Sequence, residues 1–340
     1  LEERLEKAGI RDRFVDTLGN LCVRIPGSDQ QAPVLHLDAH MDEPCFIVRY
    51  VDENGHVYIA PLGYMADNLL MGQRVAICTE SGEVKGAFGV NAFHSSGDRE
   101  KGSVLSQEDL WIDIGAEDQD AALSAGVKPG MPVVFDEPCI KLLSGNLMAK
   151  ALDDRVGCAV LLKTLEQLSR LSLPATILAS FSVQEELLLR GSCTIYNGFR
   201  KHFGILPDLC LVYDICSCGD VPYAKRQKAV VSLGKGPAIK LYDKSSVSHY
   251  AHVVPRRVVT FLENCCNQEH IPFQYDLLSG STNADQFSLD GTGVLTGGIS
   301  LPCRYTHSAV EIVNLSDAEQ AVSLSCAAAI RLPEFFSRQD

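Results

Sequence analysis

Three runs of small and branched apolar residues constrain the fold of this chain more than any other feature of its sequence. The runs are "PATILASFSVQ" from Pro174, "DLCLVYD" from Asp208 and "TGVLTGGIS" from Thr292. Uninterrupted apolar runs of this length are typical of strands that are covered on both faces, as in a parallel sheet. Helical patterns lie between them. The alternation therefore predicts an α/β fold with a mostly parallel central sheet flanked by helices.

The helices are predicted from apolar spacing and from residues that favour helix starts. Between residues 153 and 171 the apolar side chains recur at helical intervals. Pro255 occupies a favoured first position, and the sequence Ser316-x-x-Glu319 is a capping box. Helices are therefore predicted at residues 2–17, 153–171, 255–269 and from Ser316 onwards.

Residues 51–143 have a different sequence pattern. Short β-type runs such as "HVYIAPLG" and "LWIDIGA" alternate there with Gly, Asn and Ser turns, with one short helical stretch near residues 117–126. This pattern predicts an inserted, β-rich domain at 51–143. The α/β domain would then be discontinuous, made of residues 1–50 and 144–340.

Composition excludes several classes of function. The 340 residues carry 30 Lys and Arg against 43 Asp and Glu, a net charge of −13, which disfavours binding to nucleic-acid phosphates. There is no apolar run of 18 residues, so no membrane-spanning helix is predicted. The 13 cysteines are scattered, mostly through apolar runs. We interpret them as reduced, buried thiols. Because reduced thiols are typical of the cytosol, we expect a cytoplasmic protein.

Acidic and imidazole side chains follow several of the predicted strands. The segment "VLHLDAHMDEP" even contains His-x-Asp twice. In open α/β sheets, ligands bind beyond the carboxyl ends of the strands. A cluster of carboxylates there would repel itself unless it were protonated or neutralised by cations. The candidate residues are His40, Asp42, Asp153, Asp154, Glu185, Glu186, Asp214 and His307.

The number of these groups fits two metal ions. Imidazole and carboxylate ligands suit Zn, Co or Mn, and two ions can share one carboxylate. Two His, a shared Asp, a further Asp and one Glu give three ligands per ion. One of Glu185 and Glu186 then remains as a general base, and the sequence predicts a metal-dependent hydrolase.

Other catalytic arrangements have less support. The chain has no G-x-S-x-G nucleophile elbow and no phosphate-binding glycine pattern. A cysteine hydrolase using Cys303 and His307 would need a third, orienting group that cannot be identified. His94, His249 and His252 lie in polar loops or turns and receive no role.

Five motifs, in this order along the chain, resemble one known family. They are "AHMDE", "ALDDR", "VQEE", the strand end "YD" and "RYTHS". The chain resembles the tetrahedral (TET-type) dinuclear metallo-aminopeptidases, peptidase family forty-two. The likeness spans nearly the whole chain, including "GQRVAI" and "EDLWIDIGA" in the inserted segment.

The resemblance implies a fold similar to the dinuclear zinc peptidases and two divalent ions, Zn or Co and possibly Mn. It implies that Glu185 is the general base and that Asp42 orients His40. Peptides would be the substrates, and the inserted domain would pair chains into dimers that assemble into dodecamers. The implied ligands are His40 and Asp214 for one ion, Glu186 and His307 for the other, and Asp153 between them.

Departures from the family pattern leave other functions open. Pro44-Cys45, Leu188 and Asn283 stand where the family usually has other residues, and we expect the last two to lie near the substrate. The leading hypothesis is an aminopeptidase. The alternatives are a deacylase or other amide hydrolase on the same two-metal site, and an assembly subunit that has lost catalysis. In the first His-x-Asp pair, His36 is expected to be structural. Asp38 is expected either to support a ligand from behind or to cap a neighbouring loop.

Overall fold

The structure is a computed structural model that describes residues 1–90, 104–222, 224, 230–244, 251–277 and 280–337. His94 and His249 lie outside the described residues. In the described part, no helix is long and apolar enough to cross a membrane.

Seven α-helices are formed by the described residues. They are α1 (Glu2–Lys7), α2 (Gln119–Ser124), α3 (Leu152–Leu168), α4 (Ser192–His202), α5 (Arg256–Gln268), α6 (Asn283–Phe287) and α7 (Leu315–Ser337). Short 3-10 turns occur at Asp67–Leu69 and Leu143–Gly145.

The strands form three groups. The central sheet contains β1 (Arg13–Val15), β2 (Leu21–Ile25), β3 (Val34–His40), β10 (Ile140–Lys141), β11 (Asn146–Ala149), β12 (Thr176–Ser182), β13 (Leu209–Ser217), β14 (Ala238–Lys240), β17 (Gln274–Asp276), β18 (Leu295–Arg304) and β19 (Glu311–Asn314). A closed barrel contains β4 (Cys45–Val51), β5 (Val57–Leu62), β6 (Arg74–Thr79), β7 (Gly82–Phe88), β8 (Trp111–Asp113) and β9 (Pro132–Phe135). A separate hairpin contains β15 (Tyr242–Lys244) and β16 (Ala251–Val253).

The centre of the sheet is parallel, as the apolar runs predicted. Its strand order is β1-β2-β12-β3-β13-β18-β19-β11-β10, with β14 and β17 branching from β18. The neighbours β12–β3, β3–β13 and β13–β18 are parallel. The flanking pairs on both sides are antiparallel. The sheet is therefore mixed, with its parallel strands at the buried middle.

Helices cover both faces of this parallel centre. Leu37 and Leu211 lie in one core with side chains of α3 and α7. Cys210, the chain neighbour of Leu211, points to the other face, where it packs with Phe199 of α4 and Phe287 of α6. Because adjacent strand residues alternate between faces, a strand must be apolar throughout to be covered on both sides.

The barrel interrupts the central sheet between β3 and β10, as the change in sequence pattern predicted. Its interior is an apolar cluster that includes Phe46, Val75 and Ile112. Its first strand begins at Cys45, five residues after β3 ends at His40. The division of the chain into domains at 50/51 and 143/144 stays a prediction.

The predicted helix at residues 2–17 is wrong beyond its first turns. Helix α1 ends at Lys7, and Gly9 has a φ of 77°, which continues no right-handed helix. Residues 13–15 then pair with β2. Pairing with β2 therefore gave these residues a strand conformation, although their local apolar spacing favours a helix.

The last helix begins one residue earlier than its predicted cap. Helix α7 starts at Leu315, so Ser316 lies inside its first turn. The backbone N–H of Ser316 donates instead to Asn314 Oδ1 at 2.9 Å, and an Asn side chain caps well in that position. The predicted Ser316-x-x-Glu319 box is therefore replaced by an Asn314 cap.

Candidate metal centre

The candidate residues converge at the carboxyl ends of the parallel strands. His40 is the last residue of β3, Glu185 and Glu186 follow β12, and His307 follows β18. Asp214 was expected just after a strand, but β13 runs on to Ser217. The pairing of β3 with β13 stops at Asp38 and Val212, so Asp214, two residues further on, lies level with His40 at the end of β3.

Asp153 lies between the two imidazoles. Its Oδ1 is 3.2 Å from His40 Nε2, and its Oδ2 is 3.2 Å from His307 Nε2. The Asp153 side chain is held at the start of α3, where its own backbone is not yet helical. One buried carboxylate thus presents a separate oxygen to each ring, which is the arrangement of a bridging ligand.

The remaining ligand candidates divide into two sets around Asp153. Ligand atoms of His40, Asp153 and Asp214 lie within 4.8 Å of one another, and so do those of Asp153, Glu186 and His307. A third set, of His40, Glu185 and Glu186, meets the same limit. The structure therefore brings together the five ligands that the family resemblance implies.

The hydrogen bond of His307 shows which of its nitrogens can bind a cation. Its Nδ1 lies 2.8 Å from the backbone carbonyl oxygen of Tyr64. A carbonyl only accepts, so Nδ1 must carry a proton and donate. In the neutral ring, Nε2 then holds a lone pair that faces the carboxylates of Asp153 and Glu186. Acceptors facing acceptors need either a proton or a metal ion between them.

The charges of the site lead to the same requirement. Against the effect of burial, contacts with Asp153 and Glu186 raise the pKa of His307 to about 12. Burial raises the pKa of Asp214 well above its ordinary value, and repulsion from Asp153 adds to the shift. Without cations, the site must therefore take up protons. The residues present fit divalent ions, because two such ions would neutralise the same carboxylates.

Asp42 organises the pair of glutamates. Its two carboxylate oxygens accept the backbone N–H groups of Glu185 at 3.1 Å and Glu186 at 3.2 Å. Its Oδ1 is 3.5 Å from His40 Nδ1, longer than an ordinary hydrogen bond. Among the described residues, that buried nitrogen has no hydrogen-bond partner. Asp42 thus lies where it can orient His40. It also holds the glutamate loop, the segment that carries Glu185 and Glu186.

Glu185 is more deeply buried than Glu186. It is buried, and burial raises its pKa well above the ordinary value, with repulsion from Asp214 and Glu186 adding to the shift. A carboxylate with a raised pKa is a better proton acceptor near neutral pH. The Glu186 side chain is the one that reaches His307, at 3.4 Å.

The barrel completes one side of the site. Tyr64, whose carbonyl oxygen accepts from His307, follows strand β5. Gly63 before it has a φ of 89°, and a Cβ there would lie 3.4 Å from Glu186 Cβ and 3.2 Å from Pro44 Cα. The end of the barrel strand therefore approaches the glutamate loop closely.

Glu311 is a site residue that the sequence analysis missed. Its Oε2 accepts the backbone N–H of Asp153 at 2.9 Å, and its Oε1 accepts that of His307 at 2.8 Å. Glu311 is buried, and burial together with repulsion from Asp153 raises its pKa to about 8. Its only sequence signal is a carboxylate four residues after His307, at the start of a short apolar run.

The first His-x-Asp pair lies within β3, and its side chains are bonded inside the sheet and to α6. His36 is fully buried, with Nε2 2.7 Å from Ser180 Oγ. Asp38 accepts hydrogen bonds from Ser180 and, at 2.8 Å, from Asn283 Nδ2. These bonds offset the cost of burying the polar groups.

The expectation that Leu188 and Asn283 lie near the substrate stays a prediction. Asn283 is buried, and its Nδ2 donates to Asp38 and Ser182. Leu188 is 65% exposed, two residues after Glu186, with a φ of 65°.

The alternative cysteine nucleophile has no structural support. Cys303 lies fully buried inside β18, and burial raises the pKa of its thiol well above the ordinary value. A reactive cysteine needs the opposite, an accessible thiol with a lowered pKa. All 13 cysteines are free thiols and most are buried, as the sequence predicted.

Comparison with known proteins relates this chain to one family. The family model described as M42 glutamyl aminopeptidase matches residues 19–324. The glutamyl aminopeptidase of Lactococcus lactis is 28% identical over 94% of this chain and 86% of its own length. The lysyl aminopeptidase of Pyrococcus furiosus is 27% identical over 94% of this chain and 90% of its own.

Solved structures agree over the whole fold. The aminopeptidase APDkam598 of Desulfurococcus kamchatkensis superposes with a TM-score of 0.88 at 31% identity, over 98% of this chain and 89% of that one. The TET1 peptidase of Pyrococcus horikoshii, described as able to assemble into a tetrahedron or a large octahedral shell, gives 0.83 at 30% identity. That match covers 97% of this chain and 92% of the other.

Proposed function

Because the chain belongs to the M42 glutamyl aminopeptidase family, it is a metal-dependent aminopeptidase, and we propose that it works with two divalent ions. The proposed ligands are His40 and Asp214 for one ion, Glu186 and His307 for the other, and Asp153 between them. Zn and Co are the expected metals, with Mn a further candidate, since all three accept imidazole and carboxylate ligands.

One observation carries this proposal. The two oxygens of Asp153 lie 3.2 Å from the Nε2 atoms of His40 and His307. In its neutral form, His307 presents an acceptor nitrogen to this buried carboxylate, which is a costly arrangement unless positive charge lies between them. Two cations with one shared carboxylate would supply that charge.

The chemistry divides between the ions and the protein. When bound, divalent ions polarise a peptide carbonyl and lower the pKa of water. Glu185 would accept the proton of the attacking water and deliver it to the leaving amine nitrogen. Asp42 would hold Glu185 in position through its backbone N–H. The remaining negative charge of the site would attract the free amino terminus of a peptide.

Neither alternative function is favoured. The family match and the relatives point to aminopeptidases and not to deacylases. The loss of catalysis in an assembly subunit would be expected to show as missing ligands, whereas all five proposed ligands and Glu185 are present. The preferred N-terminal residue does not transfer, because one relative is a lysyl and another a glutamyl enzyme.

We also propose that the chains assemble through the barrel into dimers and further into dodecamers. The support is the close match to peptidases described as assembling into a dodecamer, a tetrahedron or an octahedral shell. Thirteen free thiols favour a reducing compartment, and we propose that the protein works in the cytoplasm.

The substitution Glu185→Gln tests the assigned base. We expect kcat on aminoacyl-nitroanilides to fall by about 10²–10⁴, because the amide cannot accept the proton. Metal content per chain, measured after chelation and reloading with Zn or Co, should stay unchanged. The neighbouring change Glu186→Gln is the matched comparison, since it removes a proposed ligand and should lower metal affinity as well.

Activity of Glu185→Gln within tenfold of the parent would overturn the role of Glu185. A parent enzyme that cleaves an N-acetylated peptide as fast as the free one would favour the deacylase instead. Retention of activity after complete metal removal would contradict the two-metal site itself.

A further inference from the structure

A second group of possible metal ligands lies outside the site described above. Asp243 in β15 and His252 in β16 are paired directly across the hairpin, so their side chains share one face. Asp285 belongs to α6. Ligand atoms of these three residues lie within 4.8 Å of one another, and none of the three belongs to the His40–His307 site.

The polar atoms of this group are buried and incompletely bonded. Asp285 is only 4% exposed, and among the described residues neither of its carboxylate oxygens has a hydrogen-bond partner. His252 has Nε2 2.7 Å from Thr296 Oγ1, while its buried Nδ1 has no partner there. Native proteins rarely leave such groups unsatisfied, so these atoms point to a ligand that the side chains alone do not provide.

The nearby lysine does not satisfy Asp285. Lys240 Nζ lies 2.6 Å from Asp243 and 3.0 Å from Asp276, so its single charge is already shared by two carboxylates. The other oxygen of Asp243 accepts from Thr282 Oγ1 at 2.7 Å. Asp285 is left without a cation of its own in this part of the structure.

The protonation of the group agrees with cation binding. Burial, followed by repulsion from Asp243, raises the pKa of Asp285 to about 7. Burial lowers the pKa of His252, which leaves the neutral ring that metals require. A cation would stabilise the ionised carboxylate that burial disfavours.

We propose that Asp243, His252 and Asp285 bind a further divalent transition-metal ion, separate from the His40–His307 site. One imidazole and two carboxylates are a ligand set for Zn, Co or Mn, whereas Ca and Mg prefer oxygen ligands alone. Tetrahedral Zn bonds of about 2.0–2.1 Å place ligand atoms roughly 3.4 Å apart, so the group would contract slightly around the ion. The ion would join the β15–β16 hairpin to α6.

The change in metal content caused by Asp285→Asn tests this proposal. The full-length protein is stripped with a chelator, dialysed against excess Zn or Co, and freed of unbound metal, and the metal per chain is then measured. We expect Asp285→Asn to hold one ion fewer than the parent. Asp290→Asn, which changes a partly buried carboxylate in the same region that is paired with Arg200, should hold the same number as the parent.

The test depends on the difference in metal per chain between the parent and Asp285→Asn, so it does not require the His40–His307 site to be fully occupied. Equal metal content in the parent and Asp285→Asn would overturn the proposal. If Asp285→Asn fails to fold, His252→Gln replaces it with the same expectation. Anomalous diffraction from Co-soaked crystals supplies the position: a peak among Asp243, His252 and Asp285 supports the site, and peaks only beside Asp153 refute it.

Discussion

At the scale of single residues, Glu311 supports the proposed metal centre through the backbone of two of its ligands. It contributes no ligand of its own. Its two oxygens hold the backbone N–H groups of Asp153 and His307, which are the shared ligand and one terminal ligand of the proposed centre. A carboxylate can accept at both ends, whereas an amide can accept at only one.

The substitution Glu311→Gln should therefore loosen the centre without removing a ligand. The amide's NH₂ would face one of the two N–H groups. We expect metal affinity and kcat/KM to fall by about 10- to 100-fold, as is usual for residues that orient ligands. Chelator competition and steady-state kinetics measure the two effects. Glu319→Gln, on the exposed side of α7, is the control, and an equal response of both variants would contradict the role given to Glu311.

At the scale of elements, strand β3 shows how one segment serves two purposes. Its interior positions His36 and Asp38 are buried and bonded to β12 and α6, so they belong to the structure of the sheet. Its last residue, His40, reaches the site because the strand ends there. The same His-x-Asp sequence is structural inside the strand and points to metal binding at its end.

Burial of His36 in this strand makes the free energy of unfolding depend on pH in the acid range. Burial lowers the pKa of His36 to about 3, from an ordinary value of 6.5. Between those values the unfolded chain binds a proton that the folded chain does not, so the free energy of unfolding falls as pH decreases from 6.5 towards 3. One such proton changes it by at most about 1.4 kcal/mol per pH unit.

The variant His36→Gln should lose this contribution to the pH dependence. Urea unfolding between pH 4 and 7 is expected to show a shallower loss of stability in the variant than in the parent, although the variant is less stable at pH 7. His202→Gln changes an exposed histidine and should keep the parental slope. Identical slopes in the parent and His36→Gln would show that His36 titrates normally in the folded protein.

At the scale of the whole molecule, the site depends on contact between barrel and sheet. The carbonyl oxygen of Tyr64 fixes the tautomer of His307, and Gly63 approaches the glutamate loop. A change in the position of the barrel would therefore displace the proposed metal ligands His307 and Glu186. This contact gives a physical reason why the proposed assembly through the barrel would affect activity.

Assembly itself is measurable on the intact protein. Twelve chains of 37.0 kDa would have a mass of about 440 kDa. We expect sedimentation equilibrium or light scattering at micromolar concentration to report that mass, with dimers on dilution as the first dissociation product. A single species of 37.0 kDa at all concentrations would contradict the proposed assembly.

The sequence by itself determined the parallel centre, because a strand covered on both faces must be apolar along its length. It also determined which acids and imidazoles lie near the strand ends, and the motif order identified the family. Local signals were insufficient where a partner decided the outcome, as for residues 13–15, which pair with β2, and for Asn314, which replaces Ser316 as the cap.

Only the tertiary structure decided how these residues meet. Glu311 was missed because its partners are backbone N–H groups, one of them 158 positions away, and no pattern of side chains records such a bond. The group of Asp243, His252 and Asp285 was missed for a related reason, since a hairpin and a helix bring its members together. Sequence spacing encodes faces and ends of elements, but contacts between distant elements exist only once the chain has packed.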